Sequence, residues 1–266
     1  TYCIDGTPQE ASDTSPTPPP SEWPSHGQIE LRDLTMRYRP ETPLVLKGVS
    51  VSIAGGQRVG IVGRTGSGKS SLLMAILRLV EPEARPDLGG AGSIHIDGVD
   101  TSKIGLTELR RQCAIIPQNP ACFSGTIRSN VDPFDEFTDA EVWAALERCE
   151  LRVAVEQMVD DGAADPAKAL AALVAEYGEN LSLGQRQLLC MSRAVLRQAK
   201  ILILDEATSA VDYATDAKIQ SMIRSVFAGC TILVIAHRIN TVIDSDLILV
   251  LGDGRCLEAG APKELM

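Results

Sequence analysis

The chain has 266 residues, 44% of them hydrophobic, which is enough for one large domain or two small domains with a sizeable core. Its formal net charge of −10 argues against nucleic acid or an anionic membrane surface as the main partner, although local basic patches remain compatible with it. The seven cysteines are scattered and lack a Cys-x-x-Cys pair, so we expect a reducing cytosolic setting and neither a disulfide framework nor a zinc site.

The two ends of the sequence suggest a piece of a longer polypeptide. The chain starts at Thr1 and ends in what reads as the start of a helix, 262–266. No apolar run approaches the roughly 18 residues of a membrane span, and no signal peptide opens the chain. Residues 1–27 are rich in Pro, Ser and Thr, which predicts a linker from a preceding domain.

From Gln28 onward, apolar and polar residues alternate and predict antiparallel strands joined by Gly/Asp turns. The predicted strands cover 29–34, 35–38, 45–53 and 93–98. Tyr38 ends the second of these segments, and by itself it is typical of an aromatic residue on an edge strand.

Residues 63–70 form a complete phosphate-loop motif, Gly-Arg-Thr-Gly-Ser-Gly-Lys-Ser. A short apolar strand, 59–62, precedes the motif, and an apolar helical segment, 70–80, follows it. The glycines let backbone amides face phosphate oxygens, and the helix N-terminus adds partial positive charge. We expect Lys69 to reach the β- and γ-phosphates of a nucleoside triphosphate and Ser70 to bind Mg²⁺. A glycine-rich surface turn would not explain Lys-Ser at the head of an apolar helix.

Between residues 120 and 198 the pattern becomes helical. Residues 138–141 form a capping box, and Val142, Leu146, Cys149 and Val153 follow at helical spacing. The stretch 160–175, rich in Ala, Asp and Gly, is weakly patterned and is interpreted as a flexible insertion.

A second capping arrangement, Ser182-Leu-Gly-Gln185, opens a helix predicted over 185–198. Ser182 as N-cap and Gly184 make this helix end receptive to an anion. Because the chain already has one phosphate site, a second suggests binding to a nucleotide held by another domain.

The last third alternates buried strands with helices. Apolar strands are predicted at 201–204, 231–236 and 247–251, with a helix at 214–227 between the first two. Continuous apolar strands interleaved with helices indicate a parallel sheet covered on both sides, so the fold class is α/β.

Polar residues follow these strands where an open α/β sheet binds its ligands. Asp205 is placed to hold Mg²⁺ directly or through water, and Glu206 to polarise or deprotonate an attacking water. Alone, this acidic pair is equally typical of a helix cap. His237 after the next strand and Gln118 after 115–117 are by themselves typical of structural and loop residues.

Together, these motifs resemble the nucleotide-binding domain of ATP-binding cassette (ABC) transporters, in the expected order from about Gln28 to the end. The resemblance implies a P-loop NTPase core with an antiparallel β subdomain and an inserted helical subdomain at about 119–199. For the nucleotide, the resemblance implies that Tyr38 stacks on adenine and that the phosphates are bound by Gly63, Arg64, Thr65, Gly66, Ser67, Gly68, Lys69, Ser70 and Ser71.

For the chemistry, the resemblance implies that Mg²⁺ is bound by Ser70, Gln118 and Asp205 and that the catalytic residues are Glu206, His237 and Gln118. The signature motif that contacts a partner's ATP consists of Leu181, Ser182, Leu183, Gly184 and Gln185, and Asp212 belongs to the D-loop.

The finer pattern is similar to the second cassette of subfamily C, the multidrug-resistance-associated type. The stretch 115–134, with its Asp132-Pro133-Phe134 end, the stretch 178–190 and Trp23-Pro24 carry this similarity. Leu183 departs from the family pattern, because it replaces the first of the two central glycines of the signature. This departure is expected to weaken what the signature does for the partner's nucleotide.

The family implies a mechanism in which two cassettes, expected in one polypeptide, close head to tail around two ATP molecules. Closure drives attached transmembrane domains, and hydrolysis resets them. The resemblance therefore implies an ATPase at the cytosolic face of a membrane, with ATP and Mg²⁺, that powers transport of organic anions, conjugates or drugs and has no nucleic-acid partner. The substrate site itself would lie in helices outside this chain.

Three alternatives stay open at this point. A nucleotide-sensing cassette of a channel-associated subfamily C protein would share every motif. A soluble ABC ATPase of chromosome maintenance or translation is disfavoured by Tyr38, by residues 132–134 and by the acidic charge. A small-molecule kinase would need neither Ser182-Leu-Gly-Gln185 nor His237.

Overall fold

The computed structural model describes residues 12–15, 18–85, 90–159, 165–205, 213–235 and 239–265. The strands are β1 Ile29–Met36, β2 Leu46–Ile53, β3 Arg58–Val62, β4 Ala84–Arg85, β5 Gly90–Ala91, β6 Ser93–Ile96, β7 Val99–Asp100, β8 Cys113–Ile116, β9 Gly125–Thr126, β10 Leu173–Val174, β11 Ile201–Asp205, β12 Thr231–Ile235, β13 Leu247–Gly252 and β14 Arg255–Gly260. The helices are α1 Lys69–Ile76, α2 Leu106–Arg111, α3 Ile127–Val131, α4 Asp139–Arg148, α5 Arg152–Glu156, α6 Pro166–Leu170, α7 Leu183–Leu196, α8 Tyr213–Val226, α9 Ile239–Val242 and α10 Pro262–Leu265. In the described part of the chain, no helix combines the length and the apolar composition that crossing a membrane requires.

The first sheet is antiparallel, as the alternating pattern predicts. Its strand order is β2-β1-β6-β7. Ile29 of β1 lies opposite Ile53 of β2 and Ile96 of β6, and all three are fully buried on the core side. Trp23 packs against this sheet, and its indole Nε1 donates to the carbonyl of Ile96 at 2.8 Å. Part of the proline-rich stretch therefore lies on the body of the protein.

The second sheet has the order β14-β13-β3-β12-β11-β8. The strands from β13 to β8 are parallel, and β14 pairs antiparallel at one edge. The strands β11 and β12 are buried over almost their whole length, as their continuous apolar sequences predict for strands of a covered parallel sheet. The phosphate-loop strand β3 lies between β12 and β13, in the middle of the sheet.

A helical block, α3 to α7, interrupts this sheet's connectivity. It follows β8 and precedes β11, and those two strands are neighbours in the sheet, so the block is an insertion. Its core joins buried residues of α4 and α7, such as Val142, Leu146 and Leu189, to the underside of the sheet. The predicted α/β class, with a parallel core, an antiparallel sheet and inserted helices, is confirmed.

Two helix predictions were too long. The helix after the phosphate loop ends at Ile76 and not at Val80. Arg78 adopts a left-handed conformation (φ 49°) that turns its side chain inward, where its guanidinium donates to the carbonyls of Thr101 and Ile104 at 2.8 and 2.7 Å. The left-handed backbone at Arg78, held by these contacts, stops the helix before its predicted end.

The helix that begins after Thr138 was also extended too far. It ends at Arg148, with Cys149 as C-cap, and Glu150 follows with φ 55°. Val153 therefore belongs to the separate helix α5, where its side chain is 62% exposed. Helical spacing counted across a break assigns a residue to the wrong face.

The stretch read as a flexible insertion has more order than its composition suggested. Residues 160–164 lie outside the described residues, but Asp165 caps α6 by accepting from the Ala167 amide, with Pro166 at the first helical position. Beyond it, β10 pairs with β9. The Asp-Pro pair is a helix-start signal that the compositional reading passed over.

Candidate functional site

The phosphate loop connects β3, whose first four residues are buried, to the N-terminus of α1. Gly63 has φ 155°, and a Cβ there would lie 2.3 Å from the carbonyl oxygen of Leu251 and 2.5 Å from Ser67 Oγ, so a side chain would clash. Gly68 is the N-cap of α1 at φ 102°, with no side chain capping the helix. The first amides of α1 are thus not satisfied by a capping side chain, which suits an anionic ligand.

Lys69 is buried within this loop at 6% exposure. Its ammonium donates to the carbonyls of Gly63 and Arg64 at 2.7 and 3.2 Å, so the chain curls around the charge. The hydroxyl of Ser67 is also buried and makes no hydrogen bond. A buried cation and an orphaned buried hydroxyl beside uncapped helix amides fit a phosphate group.

The turn between β13 and β14 supports the phosphate loop through backbone hydrogen bonds. The amide of Gly254 donates to the Ser67 carbonyl at 3.1 Å, and the Gly254 carbonyl accepts from the Lys47 amide at 2.8 Å. Gly254 has φ 76°, and a Cβ would lie 2.1 Å from the Val45 carbonyl oxygen, so only glycine fits this close approach.

Tyr38 stands beside the first turn of α1. Its hydroxyl shares a hydrogen bond with Ser71 Oγ at 2.9 Å, while the side chain is 47% exposed. The antiparallel sheet therefore places an exposed aromatic face next to the phosphate loop. Of the other predicted loop residues, Arg64, Thr65, Gly66 and Ser70 are exposed, and Ser71 is buried.

Strand register places Asp205 and the segment that leads to Gln118 at the same end of the sheet as the start of the phosphate loop. Asp205, the last residue of β11, lies opposite Ile235 of β12, and Ile235 lies opposite Ile61, two residues before Gly63. On the other side of β11, Leu204 lies opposite Ile116, two residues before Gln118. The carboxyl ends of β8, β11 and β12 thus lie at the end of the sheet where β3 leads into the phosphate loop. The carboxylate of Asp205 and the hydroxyl of Ser70 carry oxygens of the kind that Mg²⁺ prefers.

The predicted capping box at Ser182 opens α7, which begins at Leu183 and not at Gln185. Ser182 is exposed and accepts from the Gln185 amide at 3.2 Å, while Gln185 Oε1 accepts from the Ser182 amide at 2.8 Å. These two bonds form a complete capping box. Leu181 is buried beneath it, and Leu183 and Gly184 are half-buried on the first turn.

Comparison with known proteins decides the family. The family profile described as "ABC transporter" matches residues 46–209, more than half of the chain. The chain belongs to the ABC transporter family. It is an ABC ATPase domain, that is, a nucleotide-binding domain, and its similarity to subfamily C is high.

Several relatives of this ABC domain are long proteins. It is 52% identical over 248 residues to the ABC transporter C family MRP4 of Zea mays and 50% identical over 248 residues to the ATP-binding cassette sub-family C member 2 of Rattus norvegicus. Each match covers 93% of this chain and 15% of the relative. A bacterial Atm1-family ABC exporter with ATP bound superimposes with a TM-score of 0.76 at 32% identity, over 90% of this chain and 40% of the exporter chain.

Three predicted site residues of the ABC domain, Glu206, Asp212 and His237, lie outside the described residues. Their roles remain predictions. The described neighbours, Asp205 and Ile235, are the last residues of β11 and β12.

One residue at this site was not singled out from the sequence. Gln187 on α7 is 2% exposed, and its Nε2 donates to the carbonyls of Pro117 and Gln118 at 3.3 and 3.2 Å. It ties the segment carrying Gln118 to the helix that begins at Ser182. The available signal was its helical spacing with the apolar residues Cys190, Met191 and Ala194.

The stretch leading out of Gln118 is held by two further polar residues. Asn130 is fully buried and exchanges hydrogen bonds with the backbone of Phe123 at 2.9 and 2.8 Å. Arg193 of α7 donates to the Ala121 carbonyl at 2.7 Å and to Asn130 Oδ1 at 3.2 Å. The segment 121–126 is therefore fixed to α7 by polar contacts.

Asp132 shows what the Asp-Pro-Phe sequence does in this ABC domain. Burial alone would raise the pKa of Asp132, but the Phe137 amide, the Arg128 guanidinium and the Glu136 amide hold that pKa below its ordinary value. The carboxylate closes the turn between α3 and α4, a structural role.

Proposed function

We propose that this ABC domain binds and hydrolyses ATP with Mg²⁺ and that the hydrolysis powers transport through transmembrane domains of the same protein. The observation that carries the proposal is the buried Lys69 ammonium inside the glycine loop, at the uncapped N-terminus of α1. Placed there, it neutralises phosphate charge in a site where water screens poorly. The membership of the ABC transporter family supports the same reading.

The residue roles are those that the family resemblance implies. The loop 63–71 would hold the phosphates and Tyr38 would stack on adenine. Ser70, Gln118 and Asp205 would hold Mg²⁺, which supplies charge neutralisation to the β- and γ-phosphates. We assign Glu206 as the group that polarises the attacking water, His237 as the residue that holds it against the γ-phosphate, and Asp212 to the contact between cassettes.

The partner is a second cassette, which would complete the site. The exposed Ser182 and the half-buried Gly184 at the start of α7 would receive the γ-phosphate held by the partner, in a head-to-tail pair. Leu183 in this turn would weaken that contact.

The remaining parts of the proposal concern the whole protein. The chain spans about 15% of the length of the relatives it matches, so the transmembrane domains, the position at the cytosolic face of a membrane, and organic anions, conjugates or drugs as substrates are inferred from the family. We propose residues 28–266 as the cassette, 119–199 as its helical subdomain and 1–27 as the linker.

A Glu206→Gln protein tests the hydrolytic assignment. It should bind ATP with normal affinity, while turnover falls about 10²- to 10⁴-fold because general-base assistance is lost. Phosphate release and fluorescent-nucleotide binding measure the two quantities, with the exposed Glu147→Gln as control. Unchanged turnover would remove Glu206 from the mechanism. A wild-type chain that binds ATP tightly but never turns over, even with its partner, would favour a nucleotide-sensing cassette.

A further inference from the structure

Part of the proline-rich stretch at the start of the chain docks on α2, a helix that carries none of the predicted site residues. The amide of Leu106 donates to the Ser12 carbonyl at 3.1 Å, and the next amide along α2 donates to the Asp13 carbonyl at 3.3 Å. The N-cap of α2 is Gly105, so no side chain of the helix itself caps it. The docked segment 12–15 therefore supplies the acceptors that the first amides of this helix need.

The approach between the segment and the helix is close at Gly105. A Cβ added there would lie 2.4 Å from the Asp13 carbonyl oxygen and 2.6 Å from the Thr14 Cα. Gly105 has an ordinary extended backbone with φ −63° and ψ 145°, so this contact, and not backbone strain, requires a residue without a side chain. A larger residue at position 105 would displace the segment from α2.

The hydroxyl of Ser15 lies at the centre of this contact. Its Oγ accepts from the Gly105 amide at 2.7 Å and donates to the Glu108 carboxylate. Because an ionised carboxylate only accepts hydrogen bonds, the hydroxyl proton must point toward Glu108. Docking thus uses the hydroxyl both as a donor and as an acceptor, and a modification that removes its proton breaks the contact with Glu108.

The sequence around Ser15 has the form that a class of protein kinases recognises. Ser15 is followed directly by Pro16, and proline-directed kinases require a proline after the serine or threonine that they modify. A residue before proline favours an extended backbone, which suits a kinase cleft. Residues 12–14 are exposed, and Ser15 is half-buried against α2. Hydrogen bonds at the surface hold the segment, so it can detach while the domain stays folded.

We propose that Ser15 is a phosphorylation site for a proline-directed protein kinase and that phosphorylation releases segment 12–15 from α2. The Ser15 Oγ attacks the γ-phosphorus of ATP bound to the kinase, the bond from that phosphorus to ADP breaks, and the hydroxyl proton passes to the kinase's catalytic carboxylate. The product has no hydroxyl proton to donate to Glu108. Instead, between one and two negative charges, about 1.5 to 2 at neutral pH, face that carboxylate and repel it.

Release changes where the start of the chain is attached. The stretch is held at 12–15 and again at Trp23, whose indole Nε1 donates to the Ile96 carbonyl at 2.8 Å. Phosphorylation removes the first attachment and leaves the one at Trp23, which lengthens the tether to a preceding domain. This consequence rests on the proposed linker role of residues 1–27, whereas the modification of Ser15 and the release of the segment do not, and neither requires ATP hydrolysis by this domain.

The test treats the purified 266-residue chain with ATP and a purified proline-directed kinase. Mass spectrometry locates the phosphate, and hydrogen exchange follows the amides of residues 105–107. We expect phosphate on Ser15 and exchange of these amides at least about tenfold faster, because their acceptors leave. A synthetic peptide of residues 10–22 serves as the undocked substrate and should also be modified at Ser15.

Three variants separate the effect of charge from the effect of contact. Gly105→Ala should displace the segment without adding charge, so Ser15 should be phosphorylated at least about threefold faster. Glu108→Gln keeps an acceptor for the hydroxyl but removes the repulsion, so phosphorylation should speed exchange less than about threefold. Thr17→Ala removes the neighbouring threonine that also precedes a proline, and it should leave the wild-type results unchanged.

Three results would overturn the proposal. The first is a kinase that modifies the peptide at Ser15 but never the chain, which would mean that docking shields this residue. The second is that Ser15 stays unmodified in the peptide as well. The third is phosphorylated Ser15 with unchanged or slower exchange at 105–107, which would mean that the phosphate is accepted at the start of α2. Since the decisive measurements use the unaltered chain, a variant that fails to fold does not affect them.

Discussion

The N-termini of α1 and α7 are both proposed to face phosphate, but they differ in whether a side chain caps the helix. At α1, the N-cap is a glycine in a left-handed conformation, no side chain caps the helix, and a buried lysine lies beneath the loop. At α7, Ser182 and Gln185 satisfy each other's amides in a capping box. The first end has no side-chain cap, whereas at the second end a side-chain cap satisfies the amides of Ser182 and Gln185. This difference fits a site that binds ATP on its own and a second surface that joins only when a partner presents a phosphate.

The largest expected effect comes from removing the charge at α1. Lys69→Ala should lower ATP turnover by about 10²- to 10³-fold, the usual cost of one electrostatic donor to a reacting group. Binding of ATP by the chain alone should weaken about 10- to 100-fold, because a charged hydrogen bond contributes about 1.5–3 kcal/mol. Phosphate release and nucleotide titration give both values.

The control for this change is Lys103→Ala, an exposed lysine on a single 3-10 turn remote from the loop. It should leave both values unchanged. If Lys69→Ala binds and hydrolyses ATP normally, the α1 terminus is not the phosphate site and the comparison fails.

An intermediate effect is expected at α7. Asp caps a helix about as well as Ser, so Ser182→Asp should keep the stability of the chain within about 0.5 kcal/mol. Its negative charge would face the phosphate held by a partner, and turnover in the full-length protein should fall at least about tenfold. Binding of ATP by this chain alone should not change.

Thr138→Asp is the matched control, because Thr138 makes the same capping box at α4 without a proposed ligand. It should affect neither turnover nor binding. A loss of ATP affinity in the isolated Ser182→Asp chain would show that α7 acts on the chain's own nucleotide, contrary to the proposed division of roles.

The smallest effect is expected from the orphaned hydroxyl. Ser67→Ala removes a buried oxygen that has no hydrogen bond, so unfolding in urea should show unchanged or higher stability, by up to about 1 kcal/mol. If this hydroxyl contacts phosphate, ATP affinity should fall about 2- to 10-fold, the value of one neutral hydrogen bond. Ser71→Ala, which breaks the bond to Tyr38, should instead cost stability. Lower stability of Ser67→Ala with unchanged affinity would contradict this role.

The sequence predicted what local chemistry determines. The phosphate loop, the parallel strands and the capping boxes at Thr138 and Ser182 follow from short patterns, and the structure has them where they were expected. The errors lie where distant contacts act. Arg78 ends α1 because it reaches carbonyls 23 and 26 residues away.

In the candidate site, too, some residues were found from local sequence and others depend on distant contacts. From the residues alone, Asp205 was expected at a strand end, whereas the role of Gln118 came only from the family resemblance. In the structure, Asp205 ends β11, and Gln118 lies two residues beyond the neighbouring strand β8. The contacts of Gln187 could not be predicted, because they depend on how α7 packs against a segment about 70 residues earlier in the chain. Periodicity indicates that a helix has a buried face but not what that face touches.

The hydrogen bonds that join Gly254 to Ser67 and Lys47 have a practical consequence for the boundaries of this domain. The family match ends at residue 209, but the turn that supports the phosphate loop comes 45 residues later (254 − 209). A fragment limited to the matched region would keep every residue of the phosphate loop but lose the turn that supports this loop. We therefore expect a chain that binds nucleotide to extend at least through β14. In a C-terminal deletion series, nucleotide affinity should drop abruptly when the hairpin of β13 and β14 is removed.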